Sequence, residues 1–181
     1  MSKILVTWLS LAALVASTAA PFRALAKDPE PDSQAAQIAS LKADIEQLRG
    51  QIPSQSHAMT DVDYQFTNLW FAAQEHNWSL ATFYLNETKS HIEWTVRLRP
   101  VRKLASGQDL DLRPLLQAIE QSGLTELRAA LDKHDGKAFK AAYQETLKEC
   151  YSCHLAAEKP VLRPGIPTGP ATHLIQMAPG G

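Results

Sequence analysis

The stretch GKAFKAAYQETLKECYSCHLAAEKP, residues 136–160, decides the fold prediction for this chain. Phe139, Tyr143, Leu147 and Cys150 recur in it at spacings of three and four, which is the period of a helix with one buried face. Asp135-Gly136 separates this segment from the one before it, and Pro160 follows it. The pattern therefore predicts a long amphipathic helix, which we call helix D.

Three similar segments precede helix D, and no convincing strand pattern lies between residues 59 and 159. Helix A is predicted over 59–76, helix B from Ser79 to Arg99, and helix C from Asp111 onward. Ser122-Gly123 is a point at which helix C kinks or splits. Short connections favour antiparallel neighbours, so the prediction is an all-α protein with an up-down-up-down four-helix bundle.

The bundle is flanked by two different segments. Residues 33–52 carry apolar residues at alternating spacings of three and four, which predicts an extra N-terminal helix. This helix forms either a short coiled coil, making a homo-oligomer through residues 33–52, or packs on the rest of the protein. The apolar positions are Ile38, Leu41, Ile45, Leu48 and Ile52. The last segment, residues 161–181, is rich in Pro and Gly and predicts an extended tail.

Residues 1–26 have the pattern of a secretory signal peptide. Lys3 precedes an apolar stretch over 4–16, and Ala24-Leu25-Ala26 offers a small-x-small cleavage site. An uncleaved N-terminal anchor is the alternative, and no other segment is predicted to span a membrane. The predicted divisions are residues 1–26 (signal), 27–55 (linker and heptad helix), 56–160 (bundle) and 161–181 (tail).

Composition excludes several function classes. The chain has 18 Lys and Arg against 19 Asp and Glu, which does not fit a polybasic nucleic-acid binder. Its two cysteines cannot form a multi-disulfide framework. No Ser/His/Asp set, Gly-rich phosphate loop or paired carboxylates stand out, so the protein is not predicted to be an enzyme.

The chemical signal is the CxxCH motif formed by Cys150, Cys153 and His154. Residues three and four apart share a helix face, so two sulfurs can bond one porphyrin edge while the imidazole reaches the iron. The motif thus predicts one covalent haem c per chain, attached outside the bacterial cytoplasm, in the periplasm. A thioredoxin-type dithiol would need CxxC at a helix start, and a zinc site would need further ligands.

A four-helix domain with one CxxCH near its end resembles the cytochrome c′ type, or class II, c-type cytochromes. The resemblance covers Met59 to about Lys159 and implies that Cys150 and Cys153 hold the haem while His154 is the proximal ligand. In that family a residue near the start of helix A faces the other side of the iron. Methionine there implies a six-coordinate electron carrier, and an apolar residue implies a five-coordinate gas binder. The heptad segment and the tail depart from the family pattern.

Bundle topology also suggests a second iron ligand. The end of helix D lies beside the start of helix A in an up-down-up-down bundle, so Met59 is the methionine best placed to meet the haem. His57 is an alternative ligand, and Met59 as a packing residue is another. Met177 and His173 could reach the site only if the tail folds back, which the sequence does not predict.

The same topology places the loop between helices B and C at the haem end. Its basic residues would face haem propionates or an acidic redox partner protein, or would form an ordinary solvated surface. They are Arg97, Arg99, Arg102, Lys103 and Arg113. The predicted function is a periplasmic monohaem cytochrome that transfers one electron. The alternatives are a gas-binding or sensing haem protein, and a haem subunit docked to a larger redox complex.

Overall fold

The structure is a computed structural model that describes residues 31–180. The predicted signal peptide, residues 1–26, lies outside the described residues. Contacts divide the chain into two units, Met1–Gln47 and Leu48–Gly181. Helix α1 spans Pro31–Gln51, which confirms the predicted N-terminal helix. Residues 32–51 are all exposed along it.

The second unit is mostly helical, as predicted for an all-α protein. Its helices are α2 (Gln55–Gln74), α3 (Trp78–Leu98), α4 (Arg113–Gln121), α5 (Gly123–Asp132) and α6 (Gly136–Ala156). Helix α2 packs against α3, α5 packs against α6, and α3 also contacts α5. No helix within residues 31–180 is both long and apolar enough to cross a membrane.

Side-chain caps fix where three of these helices begin. Asn77 Oδ1 accepts the Leu80 N–H at 3.2 Å before α3, and Asp135 Oδ1 accepts two N–H groups before α6. Ser54 Oγ accepts the His57 N–H at 3.2 Å before α2. Such caps satisfy N–H groups that the first helical turn leaves without partners. Helix A was therefore predicted to begin four residues too late, because α2 begins at Gln55 and Met59 lies one turn inside it.

The connection between α3 and α4 is a β-hairpin, which the sequence analysis did not predict. Strand β1 (Val101–Lys103) pairs antiparallel with β2 (Asp109–Asp111), with Arg102 opposite Leu110. Gly107 adopts a φ of 88° in the connecting loop, a conformation that glycine reaches without strain. The strands have three residues each and are mostly charged, so they lack the apolar alternation that identifies a strand.

The predicted break in helix C is confirmed at Ser122. This residue has φ −117° and ψ −96° and separates α4 from α5. Gly123 follows at the start of α5, where its N–H donates to Glu149 Oε2 of α6 at 3.2 Å. A methyl group on Gly123 would lie 2.5 Å from Thr146 Oγ1, so glycine permits the close approach of α5 to α6.

Helices α2 and α6 run antiparallel where they meet. The rings of Phe66 and Tyr143 stack with centroids 4.2 Å apart, and the Tyr143 hydroxyl donates to the Phe66 carbonyl oxygen at 2.9 Å. Trp70 lies one turn after Phe66 on α2. Its ring contacts that of Phe139, which lies one turn before Tyr143 on α6. Phe66, Tyr143 and Phe139 belong to the buried core, and Trp70 packs against it. Its largest fully buried side chains include Tyr84, Tyr143, Phe139, Leu69, Leu127 and Leu131.

The tail contains no helix or strand between residues 161 and 180, yet it is held against the second unit. The buried Asn68 of α2 accepts the Ala171 N–H through its Oδ1 at 3.0 Å. Thr172 is buried, and Met177 packs against the core cluster. The tail was predicted to be extended, and the sequence did not reveal that it folds back onto α2.

Candidate functional site

The CxxCH motif lies in the last turns of α6. Cys150 and Cys153 are free thiols and are half-buried, as is His154. The core-facing residues of α6 include Phe139, Tyr143, Thr146 and Leu147. Cys150 continues this stripe at helical spacing, and Cys153 follows it one turn later. Both sulfurs therefore belong to the core-facing side of α6, at the point where the core ends.

Burial keeps both thiols protonated near neutral pH. It raises the pKa of Cys150 to about 12, with smaller contributions from the neighbouring Cys153 and Glu149. Burial also raises the pKa of Cys153, and the positive charge of Arg102 opposes that effect. Reactive dithiols have lowered pKa values and lie at helix N-termini, whereas this pair lies at a C-terminal end. The site does not have the electrostatics of a thioredoxin-type dithiol.

His154 is oriented by the tail. Its Nδ1 lies 2.6 Å from the carbonyl oxygen of Leu162. A carbonyl accepts but cannot donate, so Nδ1 carries the proton and donates it, which leaves the lone pair on Nε2. Metal-binding histidines commonly use one ring nitrogen in this way, because the second hydrogen bond fixes the ring and its tautomer. Nε2 is thus the ring nitrogen of His154 that has a lone pair to offer a ligand-binding group.

Further contacts hold the tail segment that provides this carbonyl. The Tyr151 hydroxyl donates to the Pro160 carbonyl oxygen at 3.2 Å, and the Arg163 guanidinium lies 5.6 Å from the centre of the Tyr151 ring. The Lys159 N–H donates to the carbonyl oxygen of His154 at 2.8 Å. The chain after α6 is therefore held by contacts both before and after Leu162.

Met59 lies on α2, and the packing of α2 against α6 gives its position relative to the residues of α6. Phe66 stacks on Tyr143 and the two helices are antiparallel. Counting two turns back from Phe66 and two turns on from Tyr143 brings Met59 level with Cys150. Met59 is half-buried, and Val62 and Phe66 are buried beyond it on α2. His57, the alternative ligand, is exposed.

The β-hairpin contacts both helices at this end of the protein. Arg102 Nη1 donates to Gln55 Oε1 at the start of α2 at 2.8 Å. The Ser106 N–H donates to Glu158 Oε2, just after α6, at 3.0 Å. Within the described residues, Arg102 Nε is buried and has no hydrogen-bond partner. One buried guanidinium donor near Cys153 is therefore left without an acceptor, which is costly unless a further group supplies one.

The predicted basic cluster is partly neutralised by its own hairpin. Lys103 pairs with Asp109 at 3.2 Å, and Arg113 pairs with Asp111 at 2.8 Å. Arg99 donates to the Ile52 carbonyl oxygen at 3.4 Å. Arg102 is the member of the cluster that is half-buried, with its Nε fully buried near the CxxCH end. The sequence identified the charges but contained no signal that separates Arg102 from the others.

Comparison with known proteins adds no family to this picture. No protein-family model, curated protein or solved structure matches the chain.

Within residues 31–180, no group of three or more His, Cys, Asp or Glu side chains could hold a metal ion.

Proposed function

We propose that this protein is a periplasmic monohaem c-type cytochrome that carries one electron. The observation that carries the proposal is the hydrogen bond from His154 Nδ1 to the Leu162 carbonyl oxygen, beside two free cysteines. This bond leaves Nε2 of His154 available at the fixed spacing that a CxxCH motif requires. The predicted export signal supports the location, because covalent haem attachment takes place outside the bacterial cytoplasm.

Each residue of the motif has a separate role in this proposal. Cys150 and Cys153 form the two thioether bonds that hold the haem to α6. His154 binds the iron through Nε2. The Leu162 carbonyl oxygen keeps the imidazole ring oriented and increases the basicity of Nε2. When bound, the haem supplies a reversible one-electron Fe(III)/Fe(II) couple. The protein serves as a carrier rather than an enzyme.

The residues present fit such a group. Two protonated thiols lie on one side of α6, and an imidazole nitrogen is available. Among the described residues, Arg102 also has a buried donor without an acceptor. A haem brings an anionic edge with oxygen acceptors, as well as a charge that changes with oxidation state. We assign Arg102 to the support of this group, with Gln55 holding the guanidinium in place.

Met59 is the proposed distal ligand, within an up-down-up-down bundle of the cytochrome c′ type. Its level beside Cys150 on the antiparallel α2 and α6 supports this assignment. In the alternative, apolar residues of α2 face an open iron position and the protein binds or senses a gas. The buried Val62 and Phe66, about one and two turns into α2 from Met59, favour that alternative if Met59 only packs.

Covalent haem attachment is the primary test. The full chain is expressed with haem c maturation factors, and haem is detected on a denaturing gel. We expect the native chain and Ser152→Ala to retain haem, whereas Cys150→Ser with Cys153→Ser should lose it. Ser152 is the matched control because it lies inside the motif on the exposed side of α6. A native chain without covalent haem would disprove the proposal.

Optical spectra then separate carrier from gas binder. A low-spin ferric spectrum with a methionine-to-iron charge-transfer band, and a ferrous spectrum that CO does not shift, would support the electron carrier. A high-spin spectrum that shifts with CO would support the gas-binding alternative and leave Met59 a packing residue. A third alternative, a subunit of a larger redox complex, requires recovery of the native complex from cells.

A further inference from the structure

Helix α1 presents an apolar stripe to solvent. Ile38, Leu41, Ile45 and Leu48 are 52%, 60%, 47% and 61% exposed, respectively. Spacings of three, four and three place these four side chains on one side of the helix. The other positions of α1 are small, polar or charged. Four large apolar side chains aligned in solvent on one helix indicate a surface that another helix covers.

The residue types along the stripe specify the kind of partner. In a heptad written abcdefg, Ile38 and Ile45 occupy a positions while Leu41 and Leu48 occupy d positions. A β-branched residue at a with leucine at d favours a parallel pair of helices, because side chains at the a and d positions enter the facing helix at different angles. A second copy of this chain supplies the same residues in the same register.

Charges beside the stripe favour the same arrangement. Lys42 and Arg49 fall at e positions, and Asp44 falls at a g position. In a parallel pair, Asp44 of one copy lies beside Arg49 of the second copy, which is an attractive contact. In an antiparallel pair, Asp44 would lie beside its own counterpart and Lys42 beside its own, and both contacts are repulsive.

We infer that α1 is a dimerisation helix, which pairs in parallel with α1 of a second copy of this protein. The apolar stripe and the flanking charges favour this partner independently of each other. Neither observation involves the CxxCH site, so the inference stands or falls separately from the proposed haem function. It goes beyond that function because it assigns stoichiometry and orientation.

Sedimentation equilibrium of the full purified chain tests the pairing. We compare the native chain with Leu41→Asp on the stripe and Ala43→Asp on the opposite side of α1. The native chain and Ala43→Asp should approach twice the chain mass as concentration rises, whereas Leu41→Asp should remain at the single-chain mass. Both variants place the same residue in the same exposed helix, so a change in helix propensity affects them alike.

Two results would overturn the inference. One is a native chain that stays at the single-chain mass up to about 1 mM, the weak end of measurable association. The other is equal association by the native chain and Leu41→Asp. Circular dichroism of each variant confirms that the helical second unit stays folded, as expected because Leu41 and Ala43 are both exposed.

Disulfide cross-linking tests the parallel orientation. Gln34 occupies the d position one heptad before Leu41, so Gln34→Cys places two thiols side by side only in a parallel pair. Ala36→Cys, on the opposite side of the helix, is the matched control, and the native chain accounts for its own two cysteines. Efficient cross-linking of Gln34→Cys alone is expected. A dimer that gives no such cross-link would overturn the parallel arrangement.

Discussion

At the scale of single residues, the surroundings of the CxxCH site set the protonation of its thiols and the tautomer of its imidazole. Cys150 is kept protonated by burial, and His154 is kept in one tautomer by a backbone carbonyl. Neither effect needs a bound group, so both belong to the folded chain itself. The thiols are consequently protected from ionisation, while the lone pair of the His154 imidazole is left on Nε2.

Alkylation of the haem-free chain measures the protection of the thiols. Because burial raises the pKa of Cys150 from 9.0 to about 12, its thiolate fraction near neutral pH should be about a thousandfold below that of a free thiol. We expect labelling by iodoacetamide to rise steadily up to pH values near 12. Cys153 should react before Cys150, as mass spectrometry of digested protein would show. The same chain in denaturant is the control, and equal labelling rates in both states would contradict the prediction.

Arg102 offers a second prediction at this scale. The removal of a positive charge near an iron centre disfavours the reduced state, which carries the less positive charge. If the proposed haem iron lies about 10 Å from Arg102, Arg102→Gln should lower the reduction potential by on the order of 70 mV, taking an effective dielectric constant of about 20. Protein-film voltammetry measures this shift. Arg97→Gln removes an exposed charge from the end of α3 and should change the potential much less. Equal shifts in the two variants would remove the special role of Arg102.

Met59 gives a third prediction. If its sulfur binds the iron, Met59→Ala should abolish the methionine-to-iron band, lower the reduction potential and open the ferrous protein to CO. Met177→Leu is the matched control, because Met177 packs against the core cluster and is not the proposed ligand. An unchanged spectrum and potential in Met59→Ala would show that the ligand assignment is wrong.

The motif could be predicted at this scale because its chemistry is local. Cys150, Cys153 and His154 are close in sequence, and helical spacing brings them together without tertiary information. The Leu162 carbonyl has no side-chain signal, and Arg102 meets Gln55 across 47 positions of sequence. Such partners depend on the path of the chain, and a spacing pattern does not encode that path.

At the scale of elements, helices were predicted well and the hairpin was not. Long apolar periodicities identify α3 and α6, whereas β1 and β2 are too short and too charged to show alternation. Helix boundaries were less predictable, since the start of α2 depends on a hydrogen bond from the His57 N–H to Ser54 Oγ. Ser122-Gly123 was recognised as a break because glycine weakens a helix.

Gly123 provides the prediction for the contact between elements. Gly123→Ala would press a methyl group against Thr146 and Glu149, and would disturb the hydrogen bond from Gly123 N–H to the Glu149 carboxylate. We expect the free energy of unfolding to fall by about 1–3 kcal/mol, despite the better helix propensity of alanine. Gly165→Ala, where nothing lies within 4 Å, is the control and should be nearly neutral. Denaturant unfolding followed by circular dichroism measures both, and a stabilised Gly123→Ala would contradict the close contact.

At the scale of the whole second unit, the tail joins distant parts of the chain. It supplies the Leu162 carbonyl to His154 at one point and the Ala171 N–H to Asn68 at another. The Pro- and Gly-rich composition correctly excluded regular structure, but it gave no indication of these contacts. The sequence of a segment without periodicity does not show which of its residues are buried. Its contacts with α2 and α6 are therefore known only from the structure.

Shortening the tail tests whether this attachment stabilises the fold. A chain that ends at Gly169 loses the partner of Asn68, the buried Thr172 and the packed Met177. Its free energy of unfolding should fall by about 1–3 kcal/mol, because a buried amide loses its hydrogen bond and apolar contacts are lost. Asn68→Ala should lower the free energy of unfolding by about 1 kcal/mol in the full chain and by much less in the shortened one. The shortened chain has already lost the hydrogen bond between Ala171 and Asn68. Leu174→Ser, at a side chain that is 91% exposed, should change nothing. If Asn68→Ala costs the same in both chains, the tail does not stabilise the fold through its hydrogen bond to Asn68.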